Sequence, residues 1–175
     1  MVKDEEPKFL SIIVAMDIHD LIGADNDLPW PRIESDMKRF RELTRRHDVV
    51  MGRKTFESRP ICGRPLSERH NIVISRSKSK MGGCTVAKTL HEATEKAFLD
   101  TEIFVIGGAE IYRLALQHAK YMYITTVHRA FNGDTYFPKW DESEWKKIEG
   151  RSIGALGEIA TSFTLWERKK APAPL

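Results

Sequence analysis

One acid between Leu21 and Phe40 is placed where it could do chemistry. Asp36, Phe40 and Leu43 recur at i, i+4 and i+7, so Asp36 shares the apolar stripe of a predicted helix and lies in its first turn. A carboxylate that faces an apolar cleft resists ionisation unless it is paired, so its pKa can be tuned for catalysis. The alternative is structural: Asp36 only favours the positive end of the helix dipole.

The segment before this helix is stiff and bulky. In Leu28-Pro29-Trp30-Pro31, each proline fixes its own φ angle and restricts the residue before it. Trp30 needs burial and a partner for its indole N–H. A rigid aromatic segment beside an acid on an apolar stripe predicts one wall of a small-molecule site, which favours a functional role for Asp36.

Three predicted strand ends carry residues suited to phosphate groups. Gly52-Arg53-Lys54-Thr55 offers two cations and a hydroxyl, and Ser75-Arg76 adds a further fork of donors. Gly107-Gly108-Ala109 joins a strand to a helix, so its backbone N–H groups can bind a pyrophosphate. Each alone is equally typical of a turn or a solvated arginine, and none is a GxGxxG motif. Together, at one edge of one sheet, they predict a dinucleotide with an extra phosphate, which is NADP.

Composition limits the classes of protein to consider. The chain has 175 residues, 41% of them hydrophobic and 30% charged, which suits one globular domain. No apolar run approaches the roughly 18 residues that a membrane span needs, and the charged N-terminus MVKDEEPK does not fit a secretory signal. The net charge of +3 is small and the basic residues are scattered along the chain. We therefore expect a local site for an anion and no nucleic-acid surface.

The cysteines and histidines argue against two further kinds of site. Cys62 and Cys84 form no CxxC pair, so we expect reduced thiols and a cytoplasmic protein. The six histidines show no metal-ligand spacing, so we expect no metal site and interpret them as surface or loop residues. No nucleophile motif occurs either, so the chemistry must come from a cofactor and an acid. We expect a monomer, because no apolar stripe is left to pair with a partner.

Apolar runs of strand length alternate with helical patterns, which predicts a mostly parallel sheet with helices on both faces and a closing antiparallel hairpin. Ligands bind such sheets at the carboxyl ends of the strands. We divide the chain into a flexible lead-in at 1–8, a single domain at 9–168 and a flexible tail at 169–175. The predicted strands span 9–16, 48–51, 71–75, 84–86, 103–106, 121–127, 145–153 and 159–168, and the predicted helices span 33–46, 53–58, 89–99 and 109–119.

The chain resembles the dihydrofolate reductase family from Ser11 to about Arg168. The resemblance rests on six ordered segments: IGADNDLPW, MGRKTFES, GRPL, NIVISR, VIGGAEIY and GDTYFP. It implies a three-layer α/β sandwich around a mixed, mostly parallel sheet of about eight strands. It also implies NADPH-dependent reduction of 7,8-dihydrofolate to 5,6,7,8-tetrahydrofolate, with a hydride to C6 and a proton to N5. Antifolates such as trimethoprim and methotrexate are the implied inhibitors.

The resemblance assigns the catalytic chemistry to a small group. Asp36 matches the pocket acid, which accepts hydrogen bonds from the pterin 2-amino group and N3 and favours protonation of N5, and the Thr125 hydroxyl is expected to support it. Leu28 and Trp30 complete the implied catalytic group. The implied substrate-binding residues are Ile13, Val14, Ala15, Asp36, Met37, Phe40, Ser58, Arg59, Leu66, Arg69, Ile106, Tyr112 and Thr125, with Arg69 on the substrate's glutamate α-carboxylate.

The resemblance also implies how NADPH is held. Gly107 and Gly108 are expected to be joined by a cis peptide, and Asp134 is expected to brace the loop at 23–27. The residues at the three strand ends described above are expected to bind the cofactor's phosphates. The implied cofactor-binding residues are Ala15, Ile22, Gly23, Gly52, Arg53, Lys54, Thr55, Ser75, Arg76, Ile106, Gly107, Gly108, Ala109, Glu110 and Ile111.

Arg59 is the main departure from the family pattern, which usually has isoleucine or leucine at this position. One alternative is that its guanidinium only extends to water. The other is that Arg59 adds a second cation beside Arg69 at the mouth of the site. A smaller departure is Leu28, which stands where a methionine is common.

Two other functions stay open at this point. A related NADPH reductase acting on a pyrimidine intermediate of flavin synthesis would share the fold and the glycine pair, but it would not need the LPW segment, Asp36 or Arg69. A nucleotide-binding module without catalysis would keep the phosphate groups alone. Turnover of dihydrofolate distinguishes all three.

Overall fold

A computed structural model describes residues 7–153 and 157–175. A 3₁₀ turn at Glu142–Glu144 precedes the final hairpin. In chain order the strands are β1 (Phe9–Asp17), β2 (Leu21–Gly23), β3 (Asp48–Gly52), β4 (His70–Ile74), β5 (Thr85–Ala87), β6 (Glu102–Gly107), β7 (Ala119–Val127), β8 (Thr135–Tyr136), β9 (Trp145–Ile153) and β10 (Thr161–Arg168). The helices are α1 (Glu34–Thr44), α2 (Arg53–Phe56), α3 (Leu90–Lys96) and α4 (Ala109–Ala115).

The main sheet has eight strands in the order β5-β4-β3-β6-β1-β7-β10-β9. The first six strands of this order, from β5 to β7, run parallel, and every connection between them in the chain crosses over to start at the same edge. Four of these connections contain a helix, and the one from β4 to β5 is a loop. β10 and β9 then add antiparallel to β7. The mixed sheet and its C-terminal hairpin confirm the predicted fold class.

The central strand β1 shows why two helical layers are needed. Its side chains alternate between faces: Leu10, Ile12, Val14 and Met16 join the core that packs against α3 and α4. Ile13 joins the opposite core, which includes Phe40 of α1 and Phe56 of α2. Because both faces of β1 are apolar and covered, its sequence is a continuous hydrophobic run and not an alternating one.

Several predicted helix ends extend too far, each for a physical reason. Helix α1 stops at Thr44 because Arg46 adopts a φ of 64°, outside helical space, and donates its N–H to the Glu68 carbonyl at 2.7 Å. Helix α3 stops at Lys96 because the next N–H groups, from Phe98 to Asp100, donate to the Asp48 carboxylate.

Two predictions from the sequence are wrong. The sequence predicts a loop at 128–138 and no strand at 21–23, but β8 lies in the first segment and pairs with β2 in a separate two-stranded sheet. The histidines are not all on the surface or in loops. His70 begins β4, its side chain is 14% exposed, and its Nδ1 lies 2.6 Å from Asp48 Oδ1.

The predicted domain limits depend on the two ends of the chain, the lead-in at 1–8 and the tail at 169–175. Most of the predicted lead-in at 1–8 lies outside the described residues. In the tail, Ala173 N donates to the Gln117 carbonyl at 3.1 Å, and His118 Nδ1 lies 2.9 Å from the Ala173 carbonyl. The division at 9–168 and the flexibility of the tail stay predictions. Among the described helices, none is long and apolar enough to cross a membrane.

Candidate active site

A cleft of about 1340 Å³ runs along the carboxyl ends of the parallel strands. Its floor comes from Ala15 on β1, Gly52 on β3, Ser75 after β4, Gly107 on β6 and Thr125 on β7. The parallel topology brings these five positions to one edge, although they are spread over more than a hundred residues of sequence. Helix α1, the loop after β2, α2, the start of α3 and α4 contribute the walls.

Asp36 lies in the first turn of α1 and lines this cleft. Thr125 Oγ1 donates to Asp36 Oδ1 at 2.7 Å. Burial raises the pKa of the Asp36 carboxyl above its ordinary value, against the smaller, opposite effects of the Thr125 hydrogen bond and of the Arg39 charge. The structure therefore contains an acid whose ionisation depends on its immediate neighbours.

The structural alternative for Asp36 was a role at the helix N-terminus, and Glu158 occupies that role instead. Glu158 Oε1 accepts from Glu34 N at 2.7 Å and from Ser35 N at 3.3 Å. Ser35 Oγ donates to the other carboxylate oxygen of Glu158 at 2.7 Å. Because Glu158 satisfies the free N–H groups of α1, Asp36 is left to face the cleft.

The glycine pair at the start of α4 has little room around it. Gly107 and Gly108 are joined by a cis peptide, as the resemblance implied, and Gly107 has a φ of 125°. A Cβ on Gly107 would lie 3.3 Å from the Tyr112 hydroxyl, and one on Gly108 would lie 3.0 Å from Thr55 Oγ1. The positive φ and the close neighbours both require glycine at position 107.

Tyr112 links the glycine pair to β1. Its hydroxyl donates to the Ile13 carbonyl at 2.8 Å. Burial, and next the negative charge of Asp36, raise the pKa of Tyr112 well above its ordinary value. The side chain therefore stays neutral and serves as a fixed donor beneath the cleft.

The phosphate-suited residues gather at one end of the cleft. Arg53 Nη1 lies 2.7 Å from Glu57 Oε2, and Arg76 Nη2 lies 3.7 Å from Glu110 Oε1 with its side chain 85% exposed. The Ser75 hydroxyl accepts from Lys78 N at 3.0 Å. These cations and hydroxyls form a donor set that matches the oxygens of phosphate groups.

The loop between β2 and α1 is held from two sides. Asp134 Oδ2 accepts from Asp25 N at 3.1 Å, and Asp134 N donates to the Gly23 carbonyl at 3.1 Å. This is the brace expected for the segment 23–27. On the other side, Arg59 N donates to the Asn26 carbonyl at 2.9 Å, and Arg59 Nη1 lies 3.7 Å from Asp27 Oδ2.

Most predicted site residues line the cleft, and three do not. Trp30 is buried against Ile33 and Val127, with its ring edge-on to Phe131. Arg59 points to Asp27, and Arg69 lies behind a lining residue, as described below. The predicted residues that line the cleft are Ile13, Val14, Ala15, Ile22, Gly23, Leu28, Asp36, Met37, Phe40, Gly52, Arg53, Lys54, Thr55, Ser58, Leu66, Ser75, Arg76, Ile106, Gly107, Gly108, Ala109, Glu110, Ile111, Tyr112 and Thr125.

Arg69 is held against the lining residue Phe40. Its guanidinium carbon lies 5.8 Å from the Phe40 ring centroid. Arg69 Nη1 donates to Thr44 Oγ1 at 3.0 Å and Nε donates to the Ser67 carbonyl at 2.8 Å. The other three N–H groups of the guanidinium could bind an anion that reaches this end of the cleft.

Sequence reasoning missed several lining residues. Arg39 lines the cleft three positions after Asp36, and this i, i+3 spacing could have identified it. Asp27, Ile61 and Tyr123 also line it, without any local pattern that marks them. No group of three or more histidine, cysteine or acidic side chains that could hold a metal ion occurs in the described parts of the chain.

Known proteins resemble this chain over nearly its whole length. It is 45% identical to a dihydrofolate reductase of Bacillus subtilis (strain 168) over 166 residues, which are 93% of this chain and 96% of that protein. It is 38% identical to the type A13 dihydrofolate reductase of Escherichia coli over 160 residues, 90% of this chain and 93% of that one.

A solved structure shares the fold. The dihydrofolate reductase of Enterococcus faecalis, complexed with NADP(H) and RAB-propyl, superimposes with a TM-score of 0.85 at 28% identity, covering 93% of this chain and 97% of that one. The family model for dihydrofolate reductase matches residues 9–168. On these grounds the chain belongs to the dihydrofolate reductase family.

Proposed function

We propose that this chain reduces 7,8-dihydrofolate to 5,6,7,8-tetrahydrofolate with NADPH, using Asp36 as the pocket acid. The predicted family, enzyme class, reaction and cofactor are those of the family to which the chain belongs. The observation that carries the assignment of roles is the Asp36–Thr125 pair in the apolar part of the cleft, because it orients a carboxylate where a substrate can donate hydrogen bonds to it.

The residues around the glycine pair fit a dinucleotide with an extra phosphate. Thr55 lies beside Gly108 at the start of α4, and Arg53, Ser75 and Arg76 line the cleft just after the ends of β3 and β4. Because Gly108 has no side chain, the Thr55 hydroxyl can approach the backbone at the start of α4, where it would meet a pyrophosphate. Bound NADPH supplies the hydride for the reaction. Ala15 and Ile22 would border its nicotinamide.

The opposite part of the cleft suits a flat heterocycle. The Asp36 carboxylate would accept hydrogen bonds from the pterin 2-amino group and N3, and Thr125 keeps it oriented. Phe40 and Leu66 supply apolar walls. A negative charge here favours a proton on N5, where the reaction needs one. The protein thus contributes position and electrostatics, and the cofactor contributes the reactive electrons.

Pairing between β1 and β6 ends before these strands reach the cleft. Its last paired residues are Ile12 and Val105, so the strands separate before Val14 and Ile106. We assign the carbonyls of these two residues to the amino group that antifolates carry at the pterin 4-position. Binding of antifolate inhibitors, a monomeric state and a cytoplasmic location belong to this proposal.

The decisive experiment is a spectrophotometric assay. We expect NADPH absorbance to fall when dihydrofolate is added, and trimethoprim or methotrexate to slow that fall. A pyrimidine intermediate of flavin synthesis should give no turnover. Oxidation of NADPH with the pyrimidine and not with dihydrofolate would support the second candidate, and no oxidation with either would support a binding module without catalysis.

Arg69 and Arg59 make different predictions for the glutamate end of the substrate. The Arg69 fork is partly buried and oriented by two protein acceptors, so Arg69→Ala should raise the KM for dihydrofolate about tenfold or more. The Arg59 side chain is 74% exposed and paired at 3.7 Å, so Arg59→Ile should change KM less than about threefold. A larger effect of Arg59→Ile on this KM would support the alternative that Arg59 is a second cation beside Arg69 at the mouth of the site.

A further inference from the structure

Arg39 is a cation inside the cleft that the proposed reaction does not yet use. It follows Asp36 by three positions on α1, so the two side chains lie on one side of the helix. Both line the cleft. A guanidinium in such a place needs a reason, because transfer of a charge out of water costs free energy unless something compensates it.

The Arg39 guanidinium is held by an aromatic ring. Its carbon Cζ lies 4.4 Å from the centroid of Phe163, which is 2% exposed. A cation over the face of a buried ring is attracted by the ring's negative face. Phe163 of β10 is the paired neighbour of Thr125 on β7, and Thr125 is the hydroxyl that donates to Asp36. The ring that holds the Arg39 guanidinium and the hydroxyl that donates to Asp36 therefore lie side by side on adjoining strands.

We propose that Arg39 is a positioning residue for Asp36: held on Phe163, its guanidinium supplies the fixed positive charge that keeps this carboxyl an anion within the apolar cleft. The inference rests on the proposed function, in which Asp36 must be ionised to accept hydrogen bonds from the pterin. It adds a second support to the one that Thr125 provides.

The other charged and titratable groups around the pair leave this effect in place. Tyr112 faces Asp36 from α4 and stays neutral, since burial raises its pKa. Arg39 is faced by Glu149 and Arg151 of β9 and by Tyr123 of β7. Burial and next Arg151 lower the pKa of Arg39, and Glu149 and Asp36 oppose them. An arginine remains charged throughout the range in which a carboxyl titrates, so Asp36 has a permanent cation beside it.

The test is the ionisation of Asp36 itself, followed by carbon-13 NMR of its carboxyl in the full-length protein without ligands. Arg39→Met removes the charge but keeps an unbranched apolar side chain on Phe163. We expect its titration midpoint for Asp36 to lie at higher pH than in the parent protein. Arg39→Lys keeps a positive charge, so its titration midpoint for Asp36 should lie close to that of the parent protein.

Lys38→Gln is the matched control. It removes a neighbouring cation of the same helix whose side chain is 70% exposed and lies 3.8 Å from Glu42, so the Asp36 midpoint should stay where it is. If Arg39→Met leaves the midpoint unchanged, or if Lys38→Gln moves it equally, the proposal is wrong.

A functional readout follows the same logic. Trimethoprim binding requires an ionised Asp36, so in Arg39→Met its affinity should begin to fall at a higher pH on acidification, while Arg39→Lys should resemble the parent. The NMR midpoint does not depend on turnover. A chain that failed to reduce dihydrofolate would contradict the proposed function and leave the result for Arg39 unaffected.

Discussion

Two aspartates beside opposite edges of the central sheet differ in how far the fold itself compensates their charge. Asp48 begins β3 at the amino edge, and its side chain is 0% exposed. It accepts hydrogen bonds from the backbone N–H groups of Phe98, Leu99 and Asp100 and pairs with the His70 ring. Asp36, at the carboxyl edge, has one hydroxyl donor in Thr125.

The difference shows how a structural acid can be told from a functional one. Four donors surround Asp48, so its charge is compensated within the fold and no acceptor capacity is left for a ligand. Asp36 is desolvated but keeps free lone pairs directed into a cleft, which is an unfavourable arrangement for an unliganded protein. In the proposed function, a substrate with two adjacent N–H donors would complete the set that the fold leaves incomplete.

The largest expected effect is on catalysis. Asp36→Asn should lower the rate of dihydrofolate reduction about a hundredfold or more at neutral pH, because the neutral amide no longer favours a proton on N5. The loss should shrink at acid pH, where substrate arrives already protonated. Steady-state rates across the pH range measure this, and an unchanged pH profile would remove Asp36 from its role.

Asp36→Asn should also make the folded protein more stable, which would set Asp36 further apart from Asp48. Burial raises the pKa of Asp36, so the folded state favours the neutral form more than the unfolded state does. Stability from this group is therefore full at low pH and falls as pH rises through the ordinary carboxyl range. Asp36→Asn removes that loss, so its Tm at neutral pH should exceed that of the parent in a thermal scan.

Asp48→Asn should show the reverse pattern. An amide cannot accept from three N–H groups and a ring nitrogen at once, so buried donors lose their partner. We expect the free energy of unfolding to fall by about 3 kcal/mol, measured by urea denaturation. KM for dihydrofolate should stay within about twofold in the folded fraction. A greater loss of activity than of stability would break the distinction between the two acids.

Thr125→Val is the next effect in size. Valine fills the same space but cannot donate, so Asp36 loses the hydroxyl partner that it has in Thr125 and its pKa should rise further. A hydrogen bond to a charged group contributes about 1.5 kcal/mol, so the Kd for methotrexate should increase about tenfold. Fluorescence titration measures this, with Thr126→Val on the same strand as the control.

The smallest effect concerns His70. Its ring bridges Asp48 and Thr85, with Nε2 2.7 Å from Thr85 Oγ1. The backbone donors of Asp48 survive in His70→Gln, so the free energy of unfolding should fall by only about 1 kcal/mol. Affinity for NADPH, measured by fluorescence, should not change. A drop equal to that of Asp48→Asn would show that the ring, and not the backbone, compensates the charge.

Local patterns were enough to predict the sheet and the floor of the cleft. The β-branched run of β1 and the glycines at positions 52 and 107 carry their own signals, because strand burial and tight turns depend on neighbouring residues. The acid was found for the same reason: its place on an apolar stripe is visible within one helical turn.

The missed features depend on residues far apart in the chain. Glu158 caps a helix from 123 positions away, so nothing near Ser35 announces it. The Arg39 guanidinium lies over the ring of Phe163, and β8 pairs with β2. Such contacts exist only after the sheet has formed, and a single sequence contains no record of them.

The order of the strands has a consequence for the reaction. β1 separates β6, which ends in the glycine pair, from β7, which carries Thr125. Neighbouring strands repeat about every 4.8 Å, so the anchor points of the two reactants are fixed roughly 10 Å apart by backbone hydrogen bonds. The proposed alignment of donor and acceptor therefore depends on the hydrogen-bonded ladders between β6, β1 and β7 and not on the loops around the cleft.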